Sequence, residues 1–181
     1  MRFTSKELAL VIAFSALGAA LSVPVGYVGN YVGSIPALPL GMGQILSGVH
    51  IIPIALTFLF ARRRGIATMT GAVKGLAEAA FISFHGLPVI VMSALQGTVI
   101  DVITYVFGTN STAIYLSCGL ASASNVAFLQ FFLILPFPVE VYAFMYTVAF
   151  LSGAVIGGYS STVLHKMVGA RIRLLDNDPF S

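Results

Sequence analysis

The sequence predicts an all-α integral membrane protein, built as one compact bundle of six transmembrane helices. Of its 181 residues, 58% are hydrophobic and only 8% are charged, whereas a soluble domain carries about 25% charged residues. The mean hydropathy is +0.98. Long stretches such as 8–61 and 102–139 contain no charged side chain. Because one helical span needs about 20 residues, the single domain 1–181 has room for about six spans.

The basic residues predict how these spans are oriented. All but Lys74 lie at the ends of the apolar stretches: Arg2, Lys6, Arg62, Arg63, Arg64, Lys166, Arg171 and Arg173. With six spans, all of them fall on one side, and the positive-inside rule makes that side cytoplasmic. We therefore expect both termini in the cytoplasm and a multi-pass protein of the cell membrane. The net charge of +3 is explained by topology, so no nucleic-acid partner is expected.

Span 1 is predicted over about 7–23, ended by Pro24, because proline interrupts helices. It carries small residues at spacings that place them on one helix face: Ala9, Ala13, Ala16 and Ala20. Such a face lets another helix approach closely. The neighbour is either another helix of this chain or a partner membrane subunit.

Residues 24–40 are rich in proline and glycine and predict a long irregular loop on the outer side. Tyr27, Asn30 and Tyr31 lie in this loop. They either close over a pocket as a lid or anchor the loop at the membrane interface.

The next three spans are predicted over about 41–61, 66–84 and 88–107. Lys74 and Glu78 are four residues apart in the third span and therefore share a face. Ionisable groups at membrane depth are costly and usually functional or paired. Because a lysine stem can reach along a helix, Asp101 in the fourth span is predicted as the counter-ion of Lys74 in a structural ion pair.

Spans 5 and 6 are predicted over about 112–135 and 139–164. With this topology, most polar side chains of the bundle fall in its outer half: Glu78, His85, Gln96, Asn125, Gln130, Glu140, Tyr142 and Tyr146. Together with the 24–40 loop they predict a pocket open to the outside. Carboxylates and amides beside tyrosine rings suit a small polar heteroaromatic or cationic ligand. Asn125 and Gln130 have the alternative role of bonding between helices.

Motifs for catalysis or metal binding are missing from the sequence. There is no HExxH, Walker A or GxSxG pattern, and the one cysteine, Cys118, has no zinc-site spacing around it. We therefore expect no enzyme activity, no metal and no cofactor. A self-contained, ion-coupled small carrier is the alternative function, and an intramembrane enzyme is a less favoured one.

Short motifs around the third and fourth spans carry a family resemblance. The segments RRRGIATMTGAVKGLAEAAF, HGLP and LQGTVID resemble the substrate-binding S components of energy-coupling factor (ECF) vitamin transporters, most closely the thiamine/hydroxymethylpyrimidine type. The matching features are Glu78, the Gly86–Pro88 turn, the Gln96–Gly97 step and Asp101. The six short spans and the alanine-rich first helix resemble this family as well.

The resemblance implies a high-affinity binding subunit of an ABC-type importer. Its ligand would be a vitamin or vitamin precursor, thiamine or its hydroxymethylpyrimidine moiety. A scaffold membrane subunit and two ATPase subunits would be its partners and would hydrolyse the ATP, and span 1 would be the docking face. Glu78 would accept from an aminopyrimidine, with Gln96 or Asn125 completing the contact. Since the chain has no tryptophan, ring stacking would fall to the tyrosines: Tyr27, Tyr31, Tyr142 or Tyr146.

Overall fold

A computed structural model describes residues 3–35, 41–80, 87–132 and 136–176, and these ranges contain helices and no strand. The helices are α1 (Ser5–Ser34), α2 (Ser47–Ala61), α3 (Ile66–Ala80), α4 (Pro88–Phe107), α5 (Ser111–Phe131), α6 (Val139–Ser152) and α7 (Ser160–Asp176). A short 3₁₀ turn, Met42–Leu46, precedes α2, and a π-helical segment, Gly153–Tyr159, joins α6 to α7. The all-α prediction is confirmed for the described residues.

Five helical segments of the described chain are long and apolar enough to cross a membrane: Ser5–Ser34, Met42–Ala61, Pro88–Phe107, Ser111–Phe131 and Val139–Ala170. They correspond to predicted spans 1, 2, 4, 5 and 6. The third predicted span is α3, whose 15 described residues are fewer than the number that crosses a bilayer. Residues 81–84 and 133–135, at the ends of predicted spans 3 and 5, lie outside the described residues.

The predicted end of span 1 at Pro24 is wrong. A capping box opens α1, in which the Thr4 hydroxyl accepts from the Glu7 backbone N–H and the Glu7 carboxylate accepts from the Thr4 N–H. The helix then continues through Pro24 to Ser34. Residues 24–34 are thus helical, and only 36–40 of the predicted loop lie outside the described residues. Away from water, backbone groups must bond within the segment, so proline and glycine do not end a helix there as they do in soluble proteins.

Glycines bring α3 and α4 into close contact. Gly71 and Gly75 of α3 face the α4 backbone, and an added Cβ at Gly75 would lie 2.6 Å from the Cα of Ile90. Gly97 of α4 meets the backbone of Ala67 in the same way. Small residues at these positions permit close packing of the two backbones. The glycine face of α3 is therefore a contact within the chain.

The last predicted span is longer than expected, because the helical path from Val139 continues to Asp176 instead of ending near Leu164. Gly153, in the π-helical segment, packs against Cys118 of α5. The Ser152 hydroxyl accepts from the Gly48 N–H at 2.9 Å and donates to the Ile45 carbonyl at 2.6 Å. These contacts hold the middle of the long helix against α2 and α5.

The start of α1, the arginine triplet and α7 meet at one end of the bundle. Arg63 forms an ion pair of 2.6 Å with Glu7 of α1. The His165 ring of α7 packs edge-on against Phe60, near the end of α2, with 4.8 Å between the ring centroids. Arg64 lies over the Tyr105 ring of α4. The arginine triplet therefore lies with the start of α1 and with α7, and this arginine end is opposite the start of α2.

Candidate functional site

A polar cavity of about 150 Å³ lies at the end of the bundle opposite the arginines. Its wall is formed by the second half of α1, the 3₁₀ turn, the start of α2, α4 and α5. The lining residues are Val25, Gly26, Gly29, Asn30, Gly43, Gln44, Leu46, Ser47, His50, Met92, Asn125 and Leu129. The α1 helix can approach the 3₁₀ turn because glycines meet there, with an added Cβ at Gly43 lying 2.9 Å from the Gly29 carbonyl oxygen.

Asn125 supplies a hydrogen-bond acceptor at the cavity. Its Oδ1 atom is buried and has no hydrogen-bond partner among the described residues. An unpaired buried carbonyl is costly and usually has a protein, water or ligand partner. Because Asn125 lines the cavity, a ligand with an N–H or O–H donor would satisfy this atom.

Next to the cavity, a buried carboxylate joins four helices. The Glu78 side chain of α3 accepts from the Lys74 Nζ at 2.6 Å and from the Ser93 hydroxyl of α4 at 3.2 Å. It also accepts from the Ser22 hydroxyl of α1. His50 of α2 lies beside it, with 4.0 Å between Nδ1 and Glu78 Oε1. Of these partners, His50 lines the cavity, and Ser22 and Ser93 lie close in sequence to cavity residues.

Lys74 and Glu78 form the buried ion pair of the described chain, with side chains 1% and 3% exposed. Gly18 of α1 makes room for the lysine, since an added Cβ would lie 2.9 Å from Lys74 Cδ. The pair carries no net charge, which lowers the cost of placing both groups at membrane depth.

The predicted ion pair between Lys74 and Asp101 is wrong. Asp101 instead accepts from the backbone N–H of Thr68 at 2.8 Å and from the Thr68 hydroxyl at 2.6 Å. Because α3 and α4 are antiparallel, Asp101 lies opposite the first turn of α3, more than a helical turn from Lys74. There it accepts from one of the free N–H groups of that turn, that of Thr68. Glu78 is four residues from Lys74 and is within reach of the ammonium group.

The structure brings only some of the predicted site residues together. Asn30 and Asn125 line the cavity, and Glu78 lies behind its wall. Gln96 is buried on α4 but does not line the cavity. Residue His85 lies outside the described residues.

The other predicted site residues lie elsewhere. Tyr27 and Tyr31 are 62% and 70% exposed on α1, and Glu140 is exposed at the start of α6. Tyr142 is buried in a cluster with Val126 and Met145. Tyr27 and Tyr31 are displaced because α1 remains helical past Pro24 and turns their side chains outward.

Gln130 and Tyr146 bond to each other, with the tyrosine hydroxyl donating to Gln130 Oε1 at 2.9 Å. This contact joins α5 to α6 and agrees with the alternative prediction that Gln130 forms a hydrogen bond between helices. Neither residue lines the cavity.

Sequence reasoning missed His50, Gln44 and Ser47 as cavity residues. A signal was present, since these polar residues recur every three positions in an otherwise apolar segment and so fall on one helix face. Ser22 and Ser93 had no such signal, because single serines are common in membrane helices.

The predicted docking residues of α1 lie on its outer surface. Ala9, Ala13, Ala16 and Ala20 are all exposed. The opposite side of α1 packs inward through Val11, Ser15, Gly18 and Ala19. The small-residue face is therefore left uncovered by the described part of this chain.

No three His, Cys, Asp or Glu side chains gather into a possible metal site within 3–35, 41–80, 87–132 and 136–176. The cavity itself holds one imidazole, His50, and one thioether, Met92.

Comparisons with known proteins identify the family. Residues 6–128, more than half of the chain, match the family described as "ABC-type cobalt transport system, permease component". The fold matches a solved structure described as "Crystal structure of an S-component of ECF transporter", with a TM-score of 0.84 and 16% identity. That match covers 94% of this chain and 87% of the other. No curated protein matches the sequence. The chain is a multi-pass membrane protein that belongs to the family of ABC-type cobalt transport system permease components.

Proposed function

We propose that this protein is the substrate-binding membrane subunit of an ECF-type importer in the cell membrane. The observation that carries the proposal is the cavity between α1, α2, α4 and α5, where the Asn125 carbonyl lacks a partner among the described residues. The likeness of fold to an S component supports it. The scaffold subunit and the two ATPase subunits would supply the energy, so this chain would hydrolyse no ATP.

The orientation that we propose places the arginine end in the cytoplasm and the cavity toward the outside. The arginine triplet, which lies beside the start of α1 and α7, supports this placement by the positive-inside rule. The cavity then faces the compartment from which the substrate is taken up. The exposed alanines of α1 are the proposed docking face for the scaffold subunit, with Ala16 near its middle.

For the ligand we propose a vitamin precursor of the hydroxymethylpyrimidine class, with thiamine as its larger relative. A cavity of about 150 Å³ is smaller than the roughly 300–1,000 Å³ of pockets for drug-sized ligands, which favours a single ring over two. The Asn125 carbonyl would accept from the exocyclic amine. Gln44 and Asn30 add further amide groups to the wall.

A cobalt ion is the second candidate, since the family description names cobalt and His50 is a possible ligand at the cavity wall. Imidazole nitrogen binds divalent transition metals well. Titration of the purified protein with hydroxymethylpyrimidine, thiamine and Co²⁺, each alone, separates the two candidates. A saturable response to the pyrimidine supports the proposed ligand. A response to Co²⁺ alone would instead indicate that the protein takes part in metal import.

Replacing Asn125 with leucine is expected to weaken binding of hydroxymethylpyrimidine about tenfold, because the ligand's amine loses its acceptor and the site keeps its volume. Ser124→Ala is the matched control on the same helix, since among the described residues that hydroxyl bonds to its own helix, at the Ala121 carbonyl. Isothermal titration in detergent measures both dissociation constants. Equal affinities for the wild type and Asn125→Leu would show that Asn125 does not contact the ligand.

A further inference from the structure

The 3₁₀ turn before α2 supplies much of the cavity wall. Together with the first residue of α2, it contributes four of the twelve lining residues: Gly43, Gln44, Leu46 and Ser47. Gln44 is the amide among them, and the position of its backbone decides where that amide lies in the cavity. A 3₁₀ turn has poorer hydrogen-bond geometry than an α-helix and is used only in short pieces. The place of Gln44 therefore depends on the contacts that the turn makes with other helices.

Ser152, the last residue of α6, holds the junction between the 3₁₀ turn and α2. Its hydroxyl donates to the Ile45 carbonyl at 2.6 Å and accepts from the Gly48 N–H at 2.9 Å. Gly48 permits this approach, since an added Cβ would overlap the Ser152 carbonyl oxygen. One buried hydroxyl thus bridges two backbone groups on either side of the junction. Ser152 itself does not line the cavity.

The same face of α6 contacts the start of the turn. Met145 is seven residues before Ser152, so the two side chains lie on one side of the helix. The Met145 side chain packs against Gly41, whose φ of +88° places it in the left-handed region that glycine adopts readily. The α6 helix therefore holds the turn at both ends, although the described cavity lining includes no residue of α6.

A separate chain of hydrogen bonds attaches the end of the turn to α5. The Ser47 hydroxyl lies 2.6 Å from the Gln44 carbonyl oxygen and 2.6 Å from the Ser122 hydroxyl. Because a carbonyl can only accept, the Ser47 proton is directed to Gln44, and Ser122 donates to Ser47. The turn thus keeps a link to α5 when the Ser152 hydroxyl is removed, and the effect of that removal stays local.

We propose that Ser152 is a positioning residue, which fixes the 3₁₀ turn so that the Gln44 amide contacts the ligand in the cavity. The contact with a ligand rests on the proposed function, whereas the hold on the turn does not. Without the hydroxyl, a buried carbonyl and a buried N–H each lose a partner, and the turn leaves its place. Binding groups act only when they are held within about 0.5 Å of their productive geometry. The Gln44 amide would then lose its contact with the ligand.

Hydrogen–deuterium exchange followed by mass spectrometry tests the hold on the turn without any ligand. We expect the amides of 42–48 to exchange about tenfold faster in Ser152→Ala than in the wild type, with the amides of α3 unchanged. Equal exchange of 42–48 in the wild type and Ser152→Ala overturns the proposal. A rise of the same size in 42–48 and in α3 also overturns it, because the hydroxyl would then stabilise the whole bundle rather than the turn.

Two further variants accompany this measurement. Ser15→Ala is the matched control, because Ser15 is buried on α1 and its hydroxyl donates to the Thr70 carbonyl at 3.0 Å, away from the turn. Its exchange over 42–48 should equal that of the wild type. Ser152→Cys keeps a side chain of similar shape with a weak donor and acceptor. It should raise exchange over 42–48 by less than Ser152→Ala does, and an unchanged rate in Ser152→Cys counts against the proposal if Ser152→Ala does not fold.

A binding measurement tests the consequence for the ligand. Isothermal titration with hydroxymethylpyrimidine should give a dissociation constant about tenfold higher for Ser152→Ala than for the wild type, and an unchanged one for Ser15→Ala. In a Gln44→Ala background, Ser152→Ala should raise the dissociation constant less than about twofold further, because Ser152 acts through Gln44.

The outcomes of the titration separate the positioning role from the identity of the ligand. An unchanged affinity in Ser152→Ala, or the full loss in the Gln44→Ala background, contradicts the positioning role. If the wild type does not bind hydroxymethylpyrimidine, the proposed ligand is wrong, and the exchange rates alone decide whether Ser152 holds the turn.

Discussion

Replacing Lys74 with methionine is expected to destabilise the folded protein by about 3–5 kcal/mol, the usual cost of removing one partner of a buried ion pair. Glu78 would be left 3% exposed, with hydroxyl donors but without its ammonium partner. Methionine fills a similar volume, so the loss is one of charge rather than of packing. Thermal unfolding in detergent, followed by the loss of monodisperse protein, measures the change.

Two control variants separate the effect of the unpaired charge on Glu78 from the effect of burial on an ion pair. The double variant Lys74→Met/Glu78→Met should recover most of the stability, because two apolar side chains can replace a buried pair at little cost or with a gain. Arg63→Met removes an ion pair with the same N–O distance, 2.6 Å, but with side chains 28% and 16% exposed, so a much smaller loss of stability is expected. A double variant as unstable as Lys74→Met would show that Lys74 stabilises the fold by another means.

Replacing Ala16 with leucine is expected to abolish uptake while leaving ligand affinity unchanged. Ala16 is exposed on α1 and lies on the face opposite the buried Ser15 and Gly18 side of that helix. A larger side chain there would hold a partner helix away without disturbing the cavity. Uptake of labelled ligand by cells that contain the complete importer, together with titration of the purified variant, measures the two properties separately.

The matched control for this substitution is Ala143→Leu, which makes the same change at an exposed position of α6. It should retain both uptake and binding. Normal uptake by Ala16→Leu would exclude the α1 face as the docking surface. Equal loss in both variants would show that the added bulk harms the protein wherever it is placed.

The apolar spans were largely predictable because the length of each hydrophobic stretch determines where a helix can cross the membrane. The fourth span was predicted as 88–107, and α4 is Pro88–Phe107. Pro24 was misleading because helix propensities are measured in water, whereas a backbone without water must bond within its own helix. That error moved Tyr27 and Tyr31 into a predicted loop, although both lie exposed on α1.

The partner of each buried charged residue was less predictable from the sequence than the depth of that residue in the membrane. The sequence placed Lys74, Glu78 and Asp101 in neighbouring helices, and two counter-ions for Lys74 were possible. The choice depends on the register of α3 against α4, which glycine contacts such as Gly97 with Ala67 set. Ser22 joins Glu78 to His50 through contacts 56 and 28 residues apart in the chain. No local pattern encodes such contacts.

The capture of a small ligand from outside is tested most directly by native mass spectrometry of the purified protein, followed by a thermal-shift titration. We expect either a co-purified metabolite of the pyrimidine class or a saturable rise in unfolding temperature with hydroxymethylpyrimidine. Ligand at one hundred times its dissociation constant should stabilise the protein by about 2.7 kcal/mol. A protein that carries no metabolite and shows no shift with hydroxymethylpyrimidine, thiamine or Co²⁺ would contradict the proposed substrate-binding function.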